Sequence, residues 1–148
     1  MSRGSDRAGG APSPRKERLA AKLRAMERHL GRVEAMLPEH RADLAPMTAA
    51  CDAVTLHLWQ AVQLAIDVAI GECAARGLGT PPDYASAFRL LGDVGTLPRD
   101  LAERLVRAVG FRNAVAHAYE SLDLGQLWDA GSEGPRDLRA FMAAIAAG

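Results

Sequence analysis

Residues 48–76 constrain the fold more than any other stretch of the chain. Thr48 is suited to cap a helix, and no proline lies between it and Pro81. Along this helix Cys51, Val54, Leu58, Val62, Ala65 and Ala69 form one apolar line. Leu56, Trp59, Leu64, Ile66, Ile70 and Cys73 make most of the remaining circumference apolar too. A helix that is apolar on nearly every side is a central one, covered by several neighbours or by another subunit. Its polar residues Gln60, Gln63 and Asp67 fall at i, i+3 and i+7 on one strip. A carboxylate in such surroundings is costly unless it is paired, so Asp67 is expected to have a partner. An amide or backbone network is the plainer choice, and Arg112 or His117 the sharper one.

The rest of the chain reads as the helices that would do the covering. Ser13-Pro14 supplies an N-cap and a first-turn proline. Leu19, Leu23, Met26, Leu30, Val33 and Leu37 then recur at helical spacing, and Pro38 ends the pattern. Gly77-Leu78-Gly79 and Thr80-Pro81-Pro82 terminate the long helix. Asp83 can cap a short helix, Tyr84–Leu91, followed by a turn at Gly92–Gly95. A helix over Pro98–Tyr119 turns Leu101, Leu105 and Val109 inward. Asp123 can cap a further turn carrying Leu127 and Trp128, and after a break at Gly131–Gly134 a last helix begins at Pro135. No segment alternates as a strand does. The expectation is an all-α antiparallel helical bundle over residues 14–148, preceded by a flexible basic tail, residues 1–13.

Charge is balanced overall but unevenly placed. Residues 1–32 carry nine Lys/Arg against three acids, net +6, and residues 33–148 carry nine against fifteen, net −6. Arg24, Arg28 and Arg32 form a basic line on the first helix, read as a solvated face, with RNA contact the alternative. Cys51 and Cys73 lie twenty-two residues apart on one helix, about 33 Å, too far for a disulfide. Both read as buried small hydrophobes in a reducing compartment. His57 has no metal-type neighbour at i+4 and reads as a packed histidine. Neither a leader's apolar core nor an uncharged stretch of membrane-spanning length is evident. A cytoplasmic protein without membrane contact or bound cofactor is expected.

Polar chemistry concentrates in Arg112-Asn113-Ala114-Val115-Ala116-His117-Ala118-Tyr119. On a helix Arg112 and Tyr119 share one line and Asn113 and His117 the line beside it. Leu105 and Val109 precede Arg112 on its line, so an apolar stripe runs into the polar cluster. That places the cluster at the edge of a packed seam, in a cleft or against another subunit. A permanent cation, an imidazole, an amide and a phenol together suit an anionic, phosphate-bearing substrate. On spacing alone, a purely structural helix end is the stronger reading.

Context shifts that balance. Tyr84-x-x-Ala87-Phe88-x-x-Leu91, Gly95, Leu97-Pro98, Leu101-Ala102-x-x-Leu105, Gly110-Phe111-Arg112-Asn113 and His117-x-Tyr119 resemble the HepT family of HEPN-domain toxins. Gln63-Leu64-Ala65-Ile66-Asp67-Val68-Ala69 is similar to that family as well, and the likeness covers roughly residues 15–145. The resemblance implies a HEPN-like bundle that dimerises so that two motifs form one RNA-cleaving cleft. It implies a metal-independent endoribonuclease toxin, cutting tRNA or mRNA, with Arg112 and His117 catalytic and Asn113 supporting; Asp67, from its place on the polar strip of the long helix, is a further supporting candidate. The resemblance also implies a nucleotidyltransferase antitoxin that silences the toxin by attaching AMP to Tyr119. The alternative is a non-catalytic HEPN module that binds nucleotide, or presents a substrate to a nucleotidyltransferase.

Overall fold

Five α-helices succeed one another in the computed structural model, which describes residue 10 and residues 13–148: α1 (Pro14–Met36), α2 (Ala49–Ala75), α3 (Tyr84–Asp93), α4 (Arg99–Ala118) and α5 (Leu124–Ala147). Single 3-10 turns at Arg41–Asp43 and Tyr119–Ser121 punctuate the α1–α2 and α4–α5 connections. Among the described residues there is no strand. Ser13 caps α1; the remainder of the predicted tail over residues 1–13, Gly10 apart, lies outside the described residues.

Side-chain caps start four of these helices. The Ser13 hydroxyl accepts from the Lys16 N–H at 3.2 Å, Thr48 from Cys51 at 3.2 Å, and the Asp83 carboxylate from Ser86 at 2.8 Å. Asp123 accepts from both Gly125 and Gln126 at the start of α5. Each cap satisfies an N–H that has no partner inside its own helix. α2 stops at Gly77, whose φ of 74° is the left-handed conformation that glycine adopts without a Cβ clash. The Gly77 N–H donates to the Ala74 carbonyl and the Leu78 N–H to that of Cys73, closing a Schellman motif. The same device at Gly95 ends α3.

α2 occupies the centre and touches α1, α3, α4 and α5. It is apolar and long enough to cross a membrane by length and composition, and half of its most apolar stretch is buried within the bundle. Cys51, Val54, Leu58, Val62, Ala65 and Ala69 are all buried, as are Met26, Leu30 and Val33 of α1. Phe88 of α3 meets Phe141 of α5 edge to face, ring centres 5.6 Å apart. Arg24, Arg28 and Arg32 lie exposed on α1. Both cysteines are buried and unbridged, and burial pushes their thiols above the ordinary range. His57 packs against His29 of α1, their Nδ1 atoms 3.0 Å apart.

Three boundaries differ from the sequence reading. α5 runs without a break through Gly131, Gly134 and Pro135. The two glycines act here as close-approach points. A Cβ on Gly131 would sit 3.2 Å from Leu37 and 3.3 Å from Val54, and one on Gly134 3.1 Å from Leu58. Packing of α5 against α1 and α2 outweighs the poor local propensity of glycine and proline. α3 continues through Gly92 to Asp93, because Gly92 allows Ala102 of α4 to approach within 2.9 Å of where its Cβ would be. α4 stops at Ala118, so Tyr119 begins a 3-10 turn instead of extending the helix.

Candidate functional site

Phe111, 2% exposed, points into the core and fixes the rotation of the second half of α4. The next residue, Arg112, therefore emerges at the edge of that core, half-buried between α2 and α3. Its Nε donates to Gln63 Oε1 at 3.0 Å and its Nη1 to Asn113 Oδ1 at 3.2 Å. The guanidinium carbon lies 5.7 Å from the Trp59 ring centre and 5.3 Å from that of Tyr84, within cation–π range of both. Gln63 in turn donates to Asp67 Oδ1 at 3.2 Å. Asp67, half-buried, thus has an amide partner and reaches Arg112 only through Gln63.

Among the described residues Arg112 makes no ion pair, and its Nη2 makes no hydrogen bond. The cation is held in place by neutral amides and aromatic faces without being neutralised. Asn113 beside it lines a shallow cavity of about 470 Å³ with Pro82, Asp83, Tyr84, Ala85 and Val109. Trp59 Nε1 is buried and has no acceptor among the described residues. An amide- and aromatic-lined cation beside an open cavity is an anion-binding arrangement, since its free N–H groups can donate to a phosphate or carboxylate oxygen.

His117 stands exposed in the last turn of α4. It lies five residues beyond Arg112, about 140° around the helix and about 7.5 Å along it. Within one chain the two side chains diverge. Tyr119 is 48% exposed, and its hydroxyl donates to Asp52 Oδ1 at 2.7 Å. That hydrogen bond, then burial, then the negative charge of Asp52, push the phenol above its ordinary range. Arg112 and Tyr119 both reach α2, but Gln63 and Asp52 are eleven residues apart, about 16 Å along that helix. One line of the motif therefore spans two separate contacts and does not form one cluster.

Sequence reasoning did not assign Trp59, Tyr84 or Asp52 to the site. Trp59 belongs to the apolar pattern of α2 and Tyr84 to the start of α3, and nothing local distinguishes either as a cradle for Arg112. Asp52 looks like an ordinary acid in the first turn of a helix; its partner is 67 residues away.

Comparison with known proteins identifies the family and the fold. A family model described as ribonuclease HepT-like matches residues 26–145. The mRNA nuclease HepT of Shewanella oneidensis is 32% identical over 73 residues, which is 49% of this chain and 55% of that relative; the match thus spans about half of each. A solved structure of the tri-AMPylated Shewanella oneidensis HEPN toxin in complex with MNT antitoxin shares the fold with a TM-score of 0.79. That likeness covers 88% of this chain and 97% of the other at 23% identity. A toxin–antitoxin complex with AMP-PNP gives a TM-score of 0.79 at 22% identity, covering 88% and 98%. With the family model covering all but the first part of α1 and the last residues of α5, this chain belongs to the ribonuclease HepT-like family.

Proposed function

We propose that this chain is a metal-independent endoribonuclease toxin that acts in the cytoplasm as a homodimer on tRNA or mRNA. The single observation that carries the proposal is Arg112: a half-buried guanidinium held by Gln63, Trp59 and Tyr84, with no carboxylate to neutralise it among the described residues. In RNA the 2′-hydroxyl attacks the adjacent phosphate, so the protein need not supply a nucleophile. It has to move a proton and to stabilise charge on the pentacoordinate phosphorane. Arg112, with its forked donors, takes the second task and His117 the first. Asn113 and Asp67 support Arg112, the first directly and the second through Gln63. Because Arg112 and His117 diverge in one chain, the cleft requires the motif of a second copy to bring a histidine opposite an arginine.

Regulation acts through Tyr119. The related HEPN toxin is tri-AMPylated in its complex with MNT antitoxin, and AMP attachment by a nucleotidyltransferase antitoxin is assigned to Tyr119 here. The added phosphate brings bulk and negative charge to the RNA-facing side of the dimer and repels the substrate. The test is cleavage of labelled tRNA and mRNA by purified wild type and by His117→Ala. Cutting by the wild type alone supports the reading. Intact RNA with tight nucleotide binding points to the non-catalytic module, and growth arrest on expression without the antitoxin is the matching observation in cells.

A further inference from the structure

We infer that Asp52 is the proton acceptor for AMP transfer onto Tyr119; this rests on the assignment of Tyr119 as the acceptor of AMP. The Tyr119 hydroxyl is already bonded to Asp52 Oδ1 at 2.7 Å, while the residue remains 48% exposed and open to a reagent from solvent. A phenol pushed above its ordinary range by that contact is a neutral, weak nucleophile. It needs a base at the moment of attack. In the step, the Tyr119 oxygen forms a bond to the α-phosphorus of a nucleoside triphosphate bound by the nucleotidyltransferase. The bond from that phosphorus to the bridging oxygen breaks, pyrophosphate leaves with the electron pair, and the phenolic proton passes to Asp52. The carboxylate is held in the first turn of α2, one residue from buried Cys51, so it does not have to be brought to the hydroxyl.

The same contact explains what modification does to the chain. An esterified Tyr119 oxygen has no hydrogen to donate, and its new phosphodiester carries negative charge. A bond that tied the Tyr119–Ser121 turn to α2 becomes a repulsion between two anions, and the turn following His117 is released.

The test uses the full chain and N-acetylimidazole, a small acylating reagent for phenols, with the site of acetylation read by mass spectrometry. The chain has two tyrosines, and Tyr84, packed on Arg112, serves as the internal reference. General bases contribute about 10²–10⁴-fold in enzymes, so D52N is expected to slow acetylation of Tyr119 about 100-fold, the low end of that range. Asp52→Glu, which keeps the carboxylate, restores part of the rate, and Tyr84 is unaffected. The D52N rate rises in step with hydroxide between about pH 6 and 9, as for a phenolate alone, and the wild-type profile is flatter. If Asp52 only ties the ring down, D52N frees the phenol, and an equal or faster rate overturns the inference. Transfer of labelled AMP from ATP by the nucleotidyltransferase is scored separately on wild type and Tyr119→Phe. Label remaining in Tyr119→Phe defeats the assignment of Tyr119 and this inference with it, whereas loss of label there together with unslowed acetylation in D52N overturns the role of Asp52 alone.

Discussion

Replacing Arg112 separates its charge from its shape. Arg112→Ala removes two hydrogen bonds, worth about 0.5–1.5 kcal/mol each, and two aromatic contacts, worth about 0.5–1 kcal/mol each. The site is half-exposed, so water replaces part of this and a loss of about 2–3 kcal/mol is expected. For a chain of this length that lowers Tm by about 5–10 °C. Arg112→Lys keeps the positive charge and much of the aromatic contact but has no forked donors with which to hold Gln63 and face a phosphate together. It is expected to cost only about 1 kcal/mol in stability and yet to reduce single-turnover RNA cleavage about 100-fold, the scale of losing one oriented transition-state donor. Urea unfolding and cleavage of an end-labelled RNA, both at a temperature where every variant is folded, give the two numbers. Wild-type cleavage by the lysine variant would refute the argument from donor geometry. Wild-type cleavage by the folded alanine variant would reduce Arg112 to a packing residue.

Three further outcomes concern the scaffold. Burial, the facing His57 and Arg28 hold the His29 imidazole below its ordinary range. The unfolded chain then binds the extra proton first, so stability is full above about pH 6.5 and falls as pH drops below it; His29→Gln should flatten that slope in urea titrations at pH 7.5 and 5.5, and an unchanged slope rejects the assignment. Glu72 is buried, its side chain 7% exposed, and pairs with Arg15 at 2.7 Å. Arg15→Ala should cost about 1–3 kcal/mol, and less in a Glu72→Gln background, a double-mutant cycle that fails if the two costs are equal. Gly92→Ala improves local helix propensity but drives a Cβ to 2.9 Å from that of Ala102; because neither methyl can rotate away, calorimetry should show a net loss of about 1–3 kcal/mol, and a rise in Tm would show that α3 and α4 can separate freely.

Much of this protein is legible in its sequence because the deciding forces are local. Ser13, Thr48, Asp83 and Asp123 cap their helices through N–H groups two or three residues away, and Gly77 ends α2 because of its own backbone freedom. The all-round apolarity of α2 forces it into the middle whatever the order of its neighbours. Tertiary structure decided the matters in which distant faces meet. Local propensity argues for a break at Gly131–Pro135, yet α5 stays whole because its glycines fit against Leu37, Val54 and Leu58. The cradle around Arg112 draws on Trp59 and Gln63 of α2 and Tyr84 of α3. Asp52 finds Tyr119 only because α4 stops at Ala118 and the turn beyond it swings onto the start of α2. No pattern within a few residues encodes such pairings, since each depends on how the outer helices rotate to bury their apolar sides against α2.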